Sequence, residues 1–376
     1  MFYIWYSWQG ALFSAIVYLI MFFVAKPQVT WCDPVRNNTK KGIYIFFFLL
    51  IVNSVFAFWS YDTYHSWETF ILSNHFSQFS LTEYENIYNW LADAVGGRYF
   101  VWRACIWVPA CLFIYYTAKR LGLLNRNFLV AMVLFGSFLS YTRGMLGHMM
   151  LLFGVVLVFE EKYFVKKVLG LTLVCVSLFF HKSIYVNIVF VLISLVPFGK
   201  KIIGIAVLMF PLLLGVTDYI VEFVLSGQVD LGSSEDATIG YLEARQDRIV
   251  FNIIGVIRNA IEGAGLILSI VYCYDRIYVK RLLDREGTKK IFLFLFRLTF
   301  VCFYSAYLFY FNNEVSGWIF HRFRYMGYFP LIFLVAKMMT LEPRSCMYIK
   351  WVLVLVLSAT FAEMYSNINH WYHGVL

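Results

Sequence analysis

Residues Tyr141–Lys167 read YTRGMLGHMMLLFGVVLVFEEKYFVKK. Arg143, His148 and two glycines fall in the first ten residues, an apolar run follows over 145–159, and Lys162, Lys166 and Lys167 close the stretch. That order fits a membrane helix, apolar where lipid or neighbouring helices surround it and basic where it emerges. The run is shorter than the roughly 20 residues of a full crossing. It is therefore expected to be tilted, broken or re-entrant, a form tolerated only inside protein or beside a polar cavity. Arg143 and His148 either mark a loop at a membrane face or line a cavity that handles something charged.

The rest of the chain has the same character. Its 376 residues are 61% hydrophobic, 20% aromatic and only 14% charged, against roughly 25% charged in a soluble domain. This composition predicts an all-α integral membrane protein, a single transmembrane domain over 1–376 with no separate soluble domain. Apolar stretches predict about 12 helices, within a range of 10–14, near 3–25, 42–60, 99–118, 127–142, 145–159, 166–180, 183–199, 202–220, 250–272, 291–311, 325–340 and 349–364. The fourth to seventh are too short to cross unaided. The N-terminus lacks the basic start and cleavage site of a signal peptide, so the first stretch is expected to be retained. The seven cysteines form no CxxC pair and read as packing residues.

The net charge of +9 is a matter of topology, not of nucleic acid. If 26–41 is cytoplasmic and the sides alternate, the inside loops are 26–41, 119–126, 160–167, 200–201, 275–290 and 337–350. These hold 21 of the 31 basic residues. Both termini then lie outside, as do two long loops. Residues 61–97 mix aromatics with acids and are expected to hold short interfacial helices within 76–92, ended by Gly96 and Gly97. Residues 221–248 are long enough to cover a site.

Ten basic residues remain: Arg98, Arg103, Arg143, Lys182, Arg245, Arg248, Arg258, Arg297, Arg322 and Arg324. All but Arg297 fall at or near the outer face, where the topology rule opposes them. An anionic ligand would explain the excess, and the arginine fork suits phosphate. The plainer alternative is pairing with Asp62, Glu68, Asp93, Glu243 and Asp247, with snorkelling to lipid phosphates.

Three elements converge on that face: Arg143–His148; His181, Lys182 and Ser183 in FFHKSIY; and His321, Arg322, Arg324 and Tyr325 in HRFRYMGYF, expected to open a late span. Asp62 is a fourth polar point. The plain readings are a helix-interior His148 bonded to a carbonyl, a turn-capping His181, and interfacial anchors at Arg322 and Arg324. The histidines lack metal-ligand spacing, and there is no nucleotide-binding glycine loop, so neither a metal nor another cofactor is expected.

Four segments carry a resemblance. SYDTYHSWE (60–68) is similar to an early outer motif, with an acid before spaced aromatics. TEYENIYNWLADAVGGRYFVWRACIW (82–107) is similar to an acid–tyrosine pair leading through a short helix to the third span. Residues 141–170 followed by LFFHKSI, and then HRFRYMGYF, complete the order. Together they cover about three quarters of the chain and resemble the EpsG-like family of Wzy-type polysaccharide polymerases. The chain departs from that pattern at Gly144, where glutamine is common, at Leu146, where a small residue is common, and at Tyr61 before Asp62.

The resemblance implies a fold similar to the C-type glycosyltransferases, in the bacterial inner membrane. It implies polymerisation of undecaprenyl-diphosphate-linked oligosaccharide units into capsular, exopolysaccharide or O-antigen chains on the periplasmic side. Its implied partners are that lipid-linked substrate, membrane lipids, a flippase and a chain-length regulator. In such a reaction Arg143, Arg322 and Arg324, supported by Arg245 and Arg248, would hold the leaving diphosphate. Helix starts near Met145 and Tyr325 would add N–H donors. His181, or else Asp62, would serve as base, while His148, His321, Tyr325, Tyr64 and Trp67 would hold sugar. A lipid-linked oligosaccharide flippase or exporter remains open, although no internal repeat of the kind carriers use is visible. So do an O-antigen ligase, a sugar acyltransferase and a purely structural membrane protein.

Overall fold

The computed structural model describes residues 8–25, 40–56, 86–96, 98–136, 142–180, 183–225, 253–284, 287, 289–310 and 316–342, with Val352 and Leu355. Every regular element among them is helical: α1 Trp8–Ala25, α2 Lys40–Phe56, α3 Asn86–Ala94, α4 Tyr99–Arg120, α5 Arg126–Gly136, α6 Thr142–Glu160, α7 Phe164–Ser177, α8 Ser183–Leu195, α9 Lys200–Leu225, α10 Ile253–Tyr274, α11 Lys289–Tyr310 and α12 Ser316–Leu341. A π-helical turn, Asp275–Val279, extends α10.

The apolar helices fit a membrane protein. Tyr99–Arg120, Lys200–Thr217 and Lys289–Phe309 are each long and apolar enough to cross a bilayer alone. Three of the four stretches expected to be short are short, α5 with 11 residues, α7 with 14 and α8 with 13, whereas α6 extends beyond 145–159 to 19 residues and is an unbroken helix. At 1.5 Å per residue the three short helices reach about 17–21 Å, against a hydrocarbon core of about 30 Å. Eleven of the twelve expected stretches coincide with a helix, and 349–364 lies outside the described residues apart from Val352 and Leu355.

Boundaries differ in two places that matter. Helix α12 begins at Ser316, so HRFRYMGYF lies inside it instead of opening it. Tyr325 is a helix-interior residue whose N–H is committed to the helix, and the expected donor there is lost. Helix α9 continues to Leu225, past the expected end at 220. Within the outer segment, α3 and the left-handed Gly96 (φ 62°) match the expected short helix and its glycine stop.

Helices α11 and α12 form the central pair, flanked by α5, α8 and α10, while α6 packs on α4 and α7. With lipid as apolar as the side chains, close packing and small residues hold such helices together. Phe128 stacks on Phe333 at 5.5 Å between α5 and α12. Where α6 crosses α7, a Cβ on Gly154 would lie 2.7 Å from the Gly170 carbonyl oxygen, and one on Gly170 would meet the Gly154 carbonyl as closely.

Described residues in or bordering the six basic loops expected on one side share one end of the bundle. Arg126 Nε donates to the Ala25 carbonyl at 3.2 Å. Arg120 pairs with the buried Glu161, as does Lys166. Asn125 and Asn127 donate to Thr340 Oγ1. Arg276 and Lys280 grip Glu342 at 2.8 and 2.7 Å. The Tyr278 hydroxyl donates to the Phe198 carbonyl at 3.4 Å.

Burial pushes the Glu342 carboxyl up, but the Lys280 hydrogen bond and the charges of Arg276 and Lys280 outweigh it and leave the group below its ordinary value. Its contribution to stability is present above the usual glutamate pKa of about 4.3 and is lost as pH falls through the lower folded value. Thermal unfolding of purified protein is expected to move to lower temperature over that acid window. Glu342→Gln should show a smaller acid shift, and parallel profiles for the two proteins would contradict the assignment.

Candidate functional site

The far end of the bundle is defined by helix direction. Helix α6 runs to Glu160, beside the Arg120–Glu161 pair, and α12 runs to Thr340 and Glu342. Helix α8 leads to Phe198, beside Tyr278. The starts of α6, α8 and α12 therefore lie toward the end opposite the basic loops.

Two of the three expected elements touch there. A Cβ on Gly147 would meet Phe180 Cβ at 3.0 Å and Ile184 Cδ1 at 3.1 Å, so glycine lets α6 press against the turn between α7 and α8. One residue on, His148 Nδ1 lies 2.5 Å from the Gly144 carbonyl, and its Nε2 lies 3.5 Å from Ser183 Oγ. His148 is 1% exposed. It thus has the carbonyl bond of its plain reading, and also a cross-helix partner that the plain reading lacks. On the other side of this turn, Tyr88 of α3 meets Phe180 edge-on at 5.9 Å, and its carbonyl accepts Trp102 Nε1 at 3.0 Å. The 82–107 segment and the turn before His181 are in contact through these rings.

The third element joins through aromatic packing. Phe323 of α12 meets Phe190 of α8 at 4.9 Å and Phe309 of α11 at 5.6 Å. Next to it, Arg324 Nη1 donates to Glu262 Oε2 of α10 at 2.5 Å. The hydroxyl of Tyr328, one turn along α12, donates to Glu262 Oε1. All three residues are 1% exposed. Both carboxylate oxygens are engaged, and these bonds offset the cost of burial. An ionisable cluster inside an apolar bundle is a default functional candidate.

Of the residues expected to hold diphosphate or sugar or to act as base, His148, Arg324 and Tyr325 are described in full. Tyr325 is half-buried, with the Arg324 guanidinium 5.7 Å from its ring centre. For Arg143, His321 and Arg322 only the helix backbone is described. Arg143 falls in the first turn of α6, where N–H groups at Arg143 and Gly144 have no helical acceptor. Those donors directly precede Met145, close to where they were expected. Asp62, Tyr64, Trp67, His181, Lys182, Arg245 and Arg248 lie outside the described residues.

Arg103 lies at the ends of α4 and α2 away from the basic loops, as expected, and is paired there with backbone. It is 2% exposed and its Nη2 donates to the Ser54 carbonyl, tying α4 to α2. Sequence reasoning passed over Glu262, Tyr328 and Asn187. Glu262 carried a usable signal, being the one acid in the apolar run 253–274. Asn187 is fully buried in α8, and neither its amide nitrogen nor its amide oxygen has a hydrogen-bond partner. Among the described residues no group of His, Cys, Asp or Glu side chains could hold a metal ion. No family model, curated protein or solved structure matches the chain.

Proposed function

We propose that the chain is a polytopic glycosyltransferase of about twelve spans. It joins lipid-diphosphate-linked oligosaccharide units at the non-cytoplasmic end of the bundle, as Wzy-type polymerases do. The observation that carries the reading is the convergence at that end of the α6 start, the Phe180–Ser183 turn and the Glu262–Arg324–Tyr328 cluster. Three of the resembling segments are linked by contacts: Tyr88 and Gly147 each meet Phe180, and Phe323 packs on Phe190 of α8.

Transfer breaks the bond between a sugar C1 and the carrier diphosphate, and negative charge grows on the leaving group. Fixed guanidinium groups and free N–H donors lower that barrier. Arg143 and Arg322, with the first-turn donors of α6, fill this role, supported by Arg245 and Arg248. Arg324 enters as the partner of Glu262, and a diphosphate reaches it by taking the place of that carboxylate. The incoming sugar hydroxyl needs a base, and His181, two residues before Ser183 in the chain, is the candidate the sequence offers. His321, Tyr325, Tyr64 and Trp67 hold sugar rings and hydroxyls. The product stays in the membrane until passed on, and a flippase and a chain-length regulator are its natural neighbours.

The expected result in cells lacking the native gene is a polysaccharide ladder restored by the wild-type chain. Arg143→Ala, His181→Ala and Arg324→Ala should each shorten it, with transfer slowed about a hundredfold by loss of one charge-stabilising group. If all three support wild-type ladders at wild-type protein levels, the site assignment fails.

A further inference from the structure

The geometry of α6 and α8 points to a proton relay, Ser183 to His148, that takes the acceptor hydroxyl's proton and leaves His181 to bind the acceptor sugar. The inference rests on the polymerase reading and names which buried groups serve its acceptor. In a neutral imidazole one nitrogen donates and the other accepts. The Gly144 carbonyl, 2.5 Å from Nδ1, can only accept, so Nδ1 carries the hydrogen. Nε2 is then the lone-pair nitrogen, and the group 3.5 Å away is the Ser183 hydroxyl, which donates to it. A backbone carbonyl thus fixes the tautomer, the part an orienting acid plays in serine–histidine pairs. The sequence separation of 35 residues is closed by Gly147, whose lack of a Cβ admits Phe180 and Ile184.

Ser183 is the first residue of α8, at the bundle end opposite the basic loops. Asn187 follows one turn later on the same helix face. Its amide nitrogen and oxygen are both buried without partners. A buried amide in that condition is costly unless something fills its valences, and a sugar hydroxyl supplies both a donor and an acceptor. The ligand class is therefore a neutral polyhydroxy acceptor. In the step, the acceptor O–H proton passes to Ser183 Oγ as the Ser183 proton passes to His148 Nε2. The acceptor oxygen's electron pair forms the new bond to C1, and the C1–oxygen bond to the diphosphate breaks with its electrons leaving on the diphosphate. The imidazolium then returns its proton through Ser183 to the departing diphosphate or to water.

The test uses the full chain in proteoliposomes with an undecaprenyl-diphosphate-linked repeat unit. Ser183→Ala and His148→Gln are each expected to cut kcat for elongation about a hundredfold, with KM for the lipid-linked donor unchanged. Ser183→Thr, which keeps the hydroxyl, should recover most of the rate. The double variant should be no slower than the slower single variant, as for groups acting as one unit. If His148→Gln fails to fold, the Ser183→Ala and Ser183→Thr pair decides alone. A wild-type rate in Ser183→Ala, or equal losses in the alanine and threonine variants, overturns the relay while leaving the polymerase reading intact. A wild-type chain that never elongates overturns both.

Discussion

Glu262→Ala is expected to lose most of the folded protein. It would remove the carboxylate that pairs with the Arg324 guanidinium, 1% exposed, and that accepts from the Tyr328 hydroxyl. Breaking one side of a buried ion pair costs about 3–5 kcal/mol, because the remaining charge stays buried. That is a large share of the roughly 5–15 kcal/mol that holds a typical domain folded. Thermal unfolding in detergent reads the loss directly. Glu262→Gln keeps an acceptor for both donors and should fall between wild type and alanine. Removing both charges with Glu262→Leu and Arg324→Met should recover much of the stability lost in Glu262→Ala, since no stranded ion remains. The double variant should still shorten the polysaccharide ladder, which separates the folding role of the pair from its part in transfer. Wild-type stability in Glu262→Ala would mean that the pair does not hold α10 to α12.

The second large effect is expected at the crossing of α6 and α7. Gly154→Val places a Cβ 2.7 Å from the Gly170 carbonyl oxygen and 3.0 Å from Val174 Cγ2, against backbone that cannot swing aside. The helices must separate, at a cost of about 1–3 kcal/mol for overpacking, and in a membrane the lost van der Waals contact is the main attraction between them. Because α6 carries Arg143 and His148, the displacement should also reduce elongation. Gly204→Ala in α9 is the matched control. Nothing lies within 4 Å of a Cβ there, and alanine favours the helix, so its unfolding temperature should hold or rise. Equal behaviour of Gly154→Val and Gly204→Ala would contradict the close crossing.

Much of the architecture was legible because lipid leaves few options. A chain this apolar must satisfy its backbone internally, and helices do so locally. The short stretches at 127–142, 166–180 and 183–199 betrayed themselves by length. The basic loops announced a common end, and contacts as distant as Arg276 with Glu342 bear that out. The misplaced start of α12 has a specific cause. Arg322 and Arg324 read as interfacial residues, so the span was begun after them, whereas Glu262 lets Arg324 lie within the bundle. Acids in the outer loops are the counter-charges visible in sequence, whereas Arg324 pairs with the lone acid within a span. The pairing of His148 with Ser183 was beyond reach, because no local pattern relates a helix interior to a turn 35 residues away. Gly147 is similar: its spacing from Arg143 was visible, but the side chains pressing on it belong to another helix.

The most direct measurement is made with purified chain in proteoliposomes supplied with one defined undecaprenyl-diphosphate-linked repeat unit. The account predicts products of two, three and more repeats on the carrier, formed without nucleotide sugar and slowed in Arg143→Ala. Transbilayer movement of the lipid-linked unit with no elongation would contradict it and identify a carrier instead.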